Sequence, residues 1–136
     1  MSFLNQRETR PGSVARKGLV VSAVAALSVS ATPSPAHHRV IKGDAVYYAN
    51  RYVGRTMACG GTYQKSKMVA AHRSLPCGTR VRIKNRSNGR TVRVRVKDRG
   101  PYGDKKLKFD VSRRAANRLG MIKAGRVPVK AVILHK

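Results

Sequence analysis

TRVRIKNRSNGRTVRVRVKDRGP, residues 79–101, decides the fold. In its first half Val81 and Ile83 share one face, and Arg80, Arg82 and Lys84 share the other. In its second half Val92, Val94 and Val96 oppose Arg93, Arg95 and Lys97. Period-two alternation on both sides of Asn88-Gly89 predicts an antiparallel hairpin, because both turn residues tolerate positive φ. The parity reaches one step further. Asp98 is even-numbered like the valines, so an unbulged strand points it to the apolar face. Burial there would raise its pKa, against the pull of Lys97 and Arg99. A second reading has Asp98 simply bonding the Arg99-Gly100-Pro101 turn that ends the strand. The residues alone leave both open.

The other segments are short. AVYYANRYV (45–53) reads as a strand plus a turn, and GRTMACGGTYQKS (54–66) as an irregular, glycine-bearing loop. MVAAH (68–72) is a short strand, and Leu75-Pro76-Cys77-Gly78 is a turn. DVSRRAANRLG (110–120) predicts one helix, with Ser112 as N-cap, an Ala115/Ala116/Leu119 stripe and Gly120 at its end. RVPVKAVILHK (126–136) is a last strand, with Pro128 at a sheet edge or a bulge. Five or six short strands and one helix fit a small β-barrel with a helix packed on it.

Charge narrows the partners. The 136 residues carry 30 Lys+Arg against 5 Asp+Glu, a formal net charge of +25. Nucleic acid, anionic lipid and acidic glycans all suit such a surface. The N-terminus favours an exported chain. Basic residues 1–17, the apolar run GLVVSAVAALSVSA (18–31) and a small-x-small ending at Ser34–Ala36 read as a secretory signal. The run is shorter than the ~20 residues a membrane span needs. Domains are thus expected at 1–36, the signal, and 37–136, the working domain. Membrane contact is expected only through the signal segment. Cys59 and Cys77 are the only cysteines, and an even count in an exported chain favours a disulfide. A nucleophilic cysteine paired with His72 is the alternative. Metal-ligand spacing is absent, so neither metal nor cofactor is expected.

The chemistry has few carriers. Beyond the signal the acids are Asp44, Asp98, Asp104 and Asp110. Asp44 and Asp104 look like solvated turn residues, and Asp110 reads as first-turn electrostatics for the helix. His72 follows an apolar run, as a structural histidine or an acid-base partner would.

In order, AAH (70–72), LPCGT (75–79), NGR (88–90), DRGP (98–101), and DVSRRAANRLG (110–120) resemble the rare lipoprotein A family of exported bacterial proteins, over roughly residues 43–134. The resemblance implies a six-stranded double-psi β-barrel, mostly β with one or two short helices. It implies lytic cleavage of peptidoglycan, with preference for glycan strands stripped of stem peptides. The family's aspartate and histidine match Asp98, as acid/base, and His72. Tyr48 and Tyr63 are expected to flank the sugar, and Arg99 to bind it. Where the family places a further Glu, this chain has Gly61, and Cys59 stands at the preceding serine position, consistent with a Cys59–Cys77 bond. A monomer in the periplasm or outside the cell is expected. Two other readings compete: an inactive, expansin-like glycan binder, and a nonspecific nucleic-acid binder. Against the last stand the absence of Trp and the two Phe, which leave poor stacking platforms.

Overall fold

The computed structural model describes residues 38–134. The predicted export signal at 1–36 lies outside them. Six strands, Val40–Tyr47 (β1), Val69–Ala71 (β2), Arg80–Asn85 (β3), Thr91–Asp98 (β4), Leu107–Val111 (β5) and Val127–Leu134 (β6), close into a barrel in the order β1-β5-β2-β4-β3-β6. The β1–β5 and β2–β4 pairs are parallel and the other four antiparallel.

The β3–β4 hairpin follows the alternation in the sequence. Val81 faces Val94 and Ile83 faces Val92, and all four are buried in the barrel with Val96. The turn differs from the prediction. Only Gly89 takes a positive φ, +82°, and Asn88 does not. Residues 86–90 form a longer loop, closed by Asn85 N–H donating to the Arg90 carbonyl. Asn85 and Asn88 also tie the hairpin to the end of the helix. Each donates its side-chain amide to the Leu119 carbonyl, at 2.8 and 2.9 Å.

That helix, Arg113–Arg118 (α1), is shorter than predicted. Ser112 caps it as expected, accepting from Ala115 N–H. Asp110 and Val111 instead belong to β5, between β1 and β2. Phe109 and Val111 of β5 are fully buried in the barrel. Three lysines around them hide this strand's alternation in the sequence. Pro128 lies neither at an edge nor at a bulge, since the barrel is closed and β6 keeps its register. Its carbonyl accepts from Arg86 N–H just past the end of β3. The missing proline N–H therefore falls one residue past the last β3–β6 pair, Asn85–Val129.

Residues 48–66 fold over the outside of the barrel. A single 3₁₀ turn, Asn50–Tyr52, leads into a small loop pinned by a Thr56–Thr62 bridge. Cys59 and Cys77 are disulfide-bonded, with Cα atoms 5.7 Å apart, which excludes a free nucleophilic thiol. Closing 18 residues of chain constrains the unfolded state by about 3 kcal/mol. Replacing both cysteines by serine is therefore expected to lower the melting temperature by roughly 12–24 °C. Calorimetry of oxidised wild type and variant checks this.

Candidate active site

Three strands bring two carboxylates to one level. Ala71 of β2 pairs with Asp98 of β4 on one side and with Asp110 of β5 on the other. Strand spacing then separates the two aspartate Cα atoms by roughly 9–10 Å. Paired residues in a sheet share a face, and Ala71 packs against Tyr48, Met57 and Tyr63 in a cluster outside the barrel core. Both aspartates therefore face outward, beneath the 48–66 loop.

This corrects the inward orientation expected for Asp98. Val96 pairs with Ala70, but Asp98, not Lys97, pairs with Ala71. The extra residue is a β-bulge, and one residue of slip exchanges the faces of a strand. The polar surroundings follow. Asp98 accepts hydrogen bonds from the Tyr48 hydroxyl at 2.7 Å, Ala58 N–H at 2.8 Å and Arg99 N–H at 2.9 Å. All three are donors, which suits an ionised carboxylate.

Asp110 is the opposite case, and its reading as helix electrostatics is overturned. Its Oδ1 is buried with no hydrogen-bond partner. Burial first, and the Asp98 charge second, push its carboxyl up to about 7. Asp110 thus holds a proton at a pH where ordinary aspartates have lost theirs. The signal that could have found it is the apolar-flanked FDV triplet, hidden by the helix-like run behind it.

The remaining expected residues have other work. The His72 ring lies against Phe109, centroids 5.0 Å apart, on the barrel side of β2. Its Nδ1 accepts from Ser74 and Leu75 N–H, both at 3.1 Å, and shapes the turn before Cys77. Only its backbone meets Asp98, donating to the Asp98 carbonyl. Burial, then the cations Arg39, Lys108, Arg99 and Arg73, lower the imidazole to about 4, so it is neutral. These contacts of His72 are structural, and its hydrogen bonds reach the Asp98 backbone rather than the carboxylate. Arg99 is likewise engaged: its guanidinium donates to the Leu75 and His72 carbonyls at 2.7 and 3.2 Å and touches Cys77 Sγ.

Tyr48 and Tyr63, expected to flank the sugar, turn their ring faces to each other. They stack on each other, centroids 4.4 Å apart, and are 6% and 1% exposed. Tyr48 fixes Asp98; its hydroxyl pKa is raised by burial and then by that hydrogen bond. Tyr63 accepts from Arg113 N–H and seats the helix. More accessible are Tyr102, 69% exposed beyond the Asp98 turn, and half-buried Tyr47 and Tyr52, with Arg113 over the Tyr47 ring and Arg51 and Arg55 over the Tyr52 ring. Asp44 and Asp104, expected as solvated turn residues, both grip Arg126, at 2.7 and 2.8 Å. Asp44 lies within β1.

Gly61 has a φ of +77°, in the left-handed region that favours glycine, and its carbonyl accepts from Met57 N–H. No acid stands there. Beside it opens a cavity of about 510 Å³, lined among others by Gly61, Thr62, Lys67, Arg95 and Lys97. Its lining is cationic and does not include Asp98. Among the described residues no cluster of three or more His, Cys, Asp or Glu could hold a metal ion.

Residues 40–131 match the family profile of the lytic transglycolases. The chain belongs to this family. It is an RlpA-like double-psi β-barrel, as the resemblance implies. A probable endolytic peptidoglycan transglycosylase RlpA from Nostoc sp. is 45% identical over 97 residues, 70% of this chain. The chain spans only 26% of that relative's length. Two solved structures share the fold. The Streptomyces papain inhibitor has a TM-score of 0.58 at 26% identity, over 71% of this chain and 96% of its own. An expansin from Clavibacter michiganensis has a TM-score of 0.56 at 27% identity, over 72% of this chain and 52% of its own. The same barrel thus carries a named transglycosylase, an inhibitor and an expansin.

Two opposed titrations follow from this geometry: Asp110, raised to about 7, gains stability as the pH falls through 7, and His72 loses it. His72 is lowered in the fold, so its contribution is present above pH 6.5 and lost as the pH falls toward 4, by at most about 3 kcal/mol. His72→Asn keeps an acceptor for Ser74 and Leu75. Chemical denaturation of that variant between pH 7 and 4 is expected to show stability rising on acidification. A wild-type-like profile would contradict it.

Proposed function

We propose that the face of the barrel bearing Asp98 and Asp110 cleaves peptidoglycan glycan strands by lytic transglycosylation, outside the cytoplasm, with the two aspartates dividing the acid-base work. The observation that carries this reading is the pair of carboxylates flanking Ala71, one held by three donors and the other protonated near neutrality. A carboxyl kept protonated by burial can serve as the acid, with a hydrogen-bonded carboxylate nearby as the base.

Asp110 gives its proton to the glycosidic oxygen as the C1–O bond breaks. Asp98 takes the proton of the sugar's own 6-hydroxyl as that oxygen bonds to C1. The products are a 1,6-anhydro end and a free 4-hydroxyl end. A proton passing from Asp98 back to Asp110 restores both groups, so no water is consumed. This modifies the single acid/base expected from the family pattern, and it needs no acid at Gly61. Tyr102 offers the ring surface that buried Tyr48 and Tyr63 do not. Lys67, Arg95 and Lys97 suit glycan strands stripped of stem peptides, because each removed peptide leaves a free carboxylate on its sugar.

A glycan-binding barrel without cleavage is the second reading, favoured by Gly61 and by the likeness to expansin. Incubating stripped glycan strands with protein and weighing the products separates the two. Cleavage gives anhydro ends, and binding alone gives sedimentation with intact strands.

A further inference from the structure

The face of the barrel away from the aspartates carries a second charged feature. Lys130 of β6 pairs with Lys42 on β1 and with Lys84 on β3. Three lysines thus stand side by side on adjacent strands, at a spacing of about 4.8 Å. With Arg86 they line a pocket of about 280 Å³ made of these four cations. The row continues along the hairpin, where Arg82 faces Arg93. Like charges directly opposite in a sheet destabilise it.

One acid shares this face, Asp44, two residues from Lys42 on β1, and it is taken up by Arg126. Of the four acids among the described residues, Asp44 and Asp104 hold Arg126, while Asp98 and Asp110 flank Ala71 on the other side of the barrel. All four pocket residues are exposed.

We propose that the Lys42–Lys84–Arg86–Lys130 pocket binds phosphate groups of a linear phosphodiester polymer built on short polyol units. Charge density selects this ligand. A glycan with one carboxylate per disaccharide is too sparse for three ammonium groups on adjacent strands. A polyol-phosphate chain repeats its charge on the scale of the strand spacing. Arg86 adds a fork that matches phosphate oxygens. The lining has no aromatic ring for a base to stack on and no large apolar side chain to enter a lipid surface.

The test compares three full-length proteins: wild type, a variant with Lys42, Lys84, Arg86 and Lys130 changed to Gln, and a control with Arg51, Lys65, Lys105 and Lys123 changed to Gln. Both variants lose the same charge. Fluorescence anisotropy with labelled poly(glycerol phosphate) is followed over a salt series. The pocket variant is expected to bind at least tenfold more weakly at physiological salt, with a log–log salt slope shallower by about 3, as for four lost phosphate contacts on a flexible chain. The control should keep most of its affinity. Equal losses in the two variants, or no binding by wild type, would refute the site. So would tighter wild-type binding to an oligonucleotide of equal phosphate number or to phosphatidylglycerol vesicles. Should the pocket variant fold poorly, Lys130→Gln alone, at the centre of the row, is expected to give the largest single loss.

Discussion

Asp98→Asn is expected to lower the rate of glycan cleavage by about 10²–10⁴-fold with little change in stability. The asparagine carbonyl can still accept from Ala58 and Arg99 N–H, and the Tyr48 hydroxyl can rotate to accept from the new amide. What disappears is the basic oxygen that receives the sugar proton. The check is a rate measurement on stripped strands beside a thermal melt. A variant that melts like wild type and cleaves within threefold of it would remove Asp98 from the chemistry.

Asp110→Asn has two expected effects of opposite sign. Activity falls by a similar ~10²–10⁴-fold, because no proton remains for the leaving oxygen. Stability rises. The native carboxyl is raised to about 7, so its favourable contribution is complete below pH 4 and lost as the pH climbs through 7. Above pH 7 the buried charge costs up to about 4 kcal/mol, which the neutral amide avoids. Wild type and variant should therefore match at pH 4 and diverge by pH 8, with the variant more stable. The wild-type activity should also decline as the pH rises through about 7. Together, unchanged stability and undiminished activity at pH 8 would show that Asp110 does not hold the proton.

These two aspartates also show what is legible in the sequence. The β3–β4 hairpin can be read because its valines and cations alternate without interruption. The disulfide follows from an even cysteine count, and the helix cap from Ser112. The position of Asp98 can be named, but its direction cannot. A single bulged residue, Lys97, reverses the face, and local sequence carries no mark of it. Asp110 is hidden for a different reason. Five residues of strand precede the helix cap, and the alternation of Leu107, Phe109 and Val111 competes with a stronger helical pattern after it. His72, Arg99, Tyr48 and Tyr63 have the right chemistry for a sugar site. Arg99, Tyr48 and Tyr63 also make long-range contacts that no local pattern reveals, while His72 bonds the nearby Ser74 and Leu75 N–H.

The most direct measurement of the central claim is mass spectrometry of stripped peptidoglycan strands incubated with wild type, Asp98→Asn and Asp110→Asn. Wild type is expected to release fragments ending in 1,6-anhydro sugars, with both variants at least a hundredfold slower. Fragments with reducing ends would make water, not the sugar's 6-hydroxyl, the nucleophile. Intact strands with wild type, or anhydro products formed equally well by both variants, would contradict the assignment of this aspartate pair.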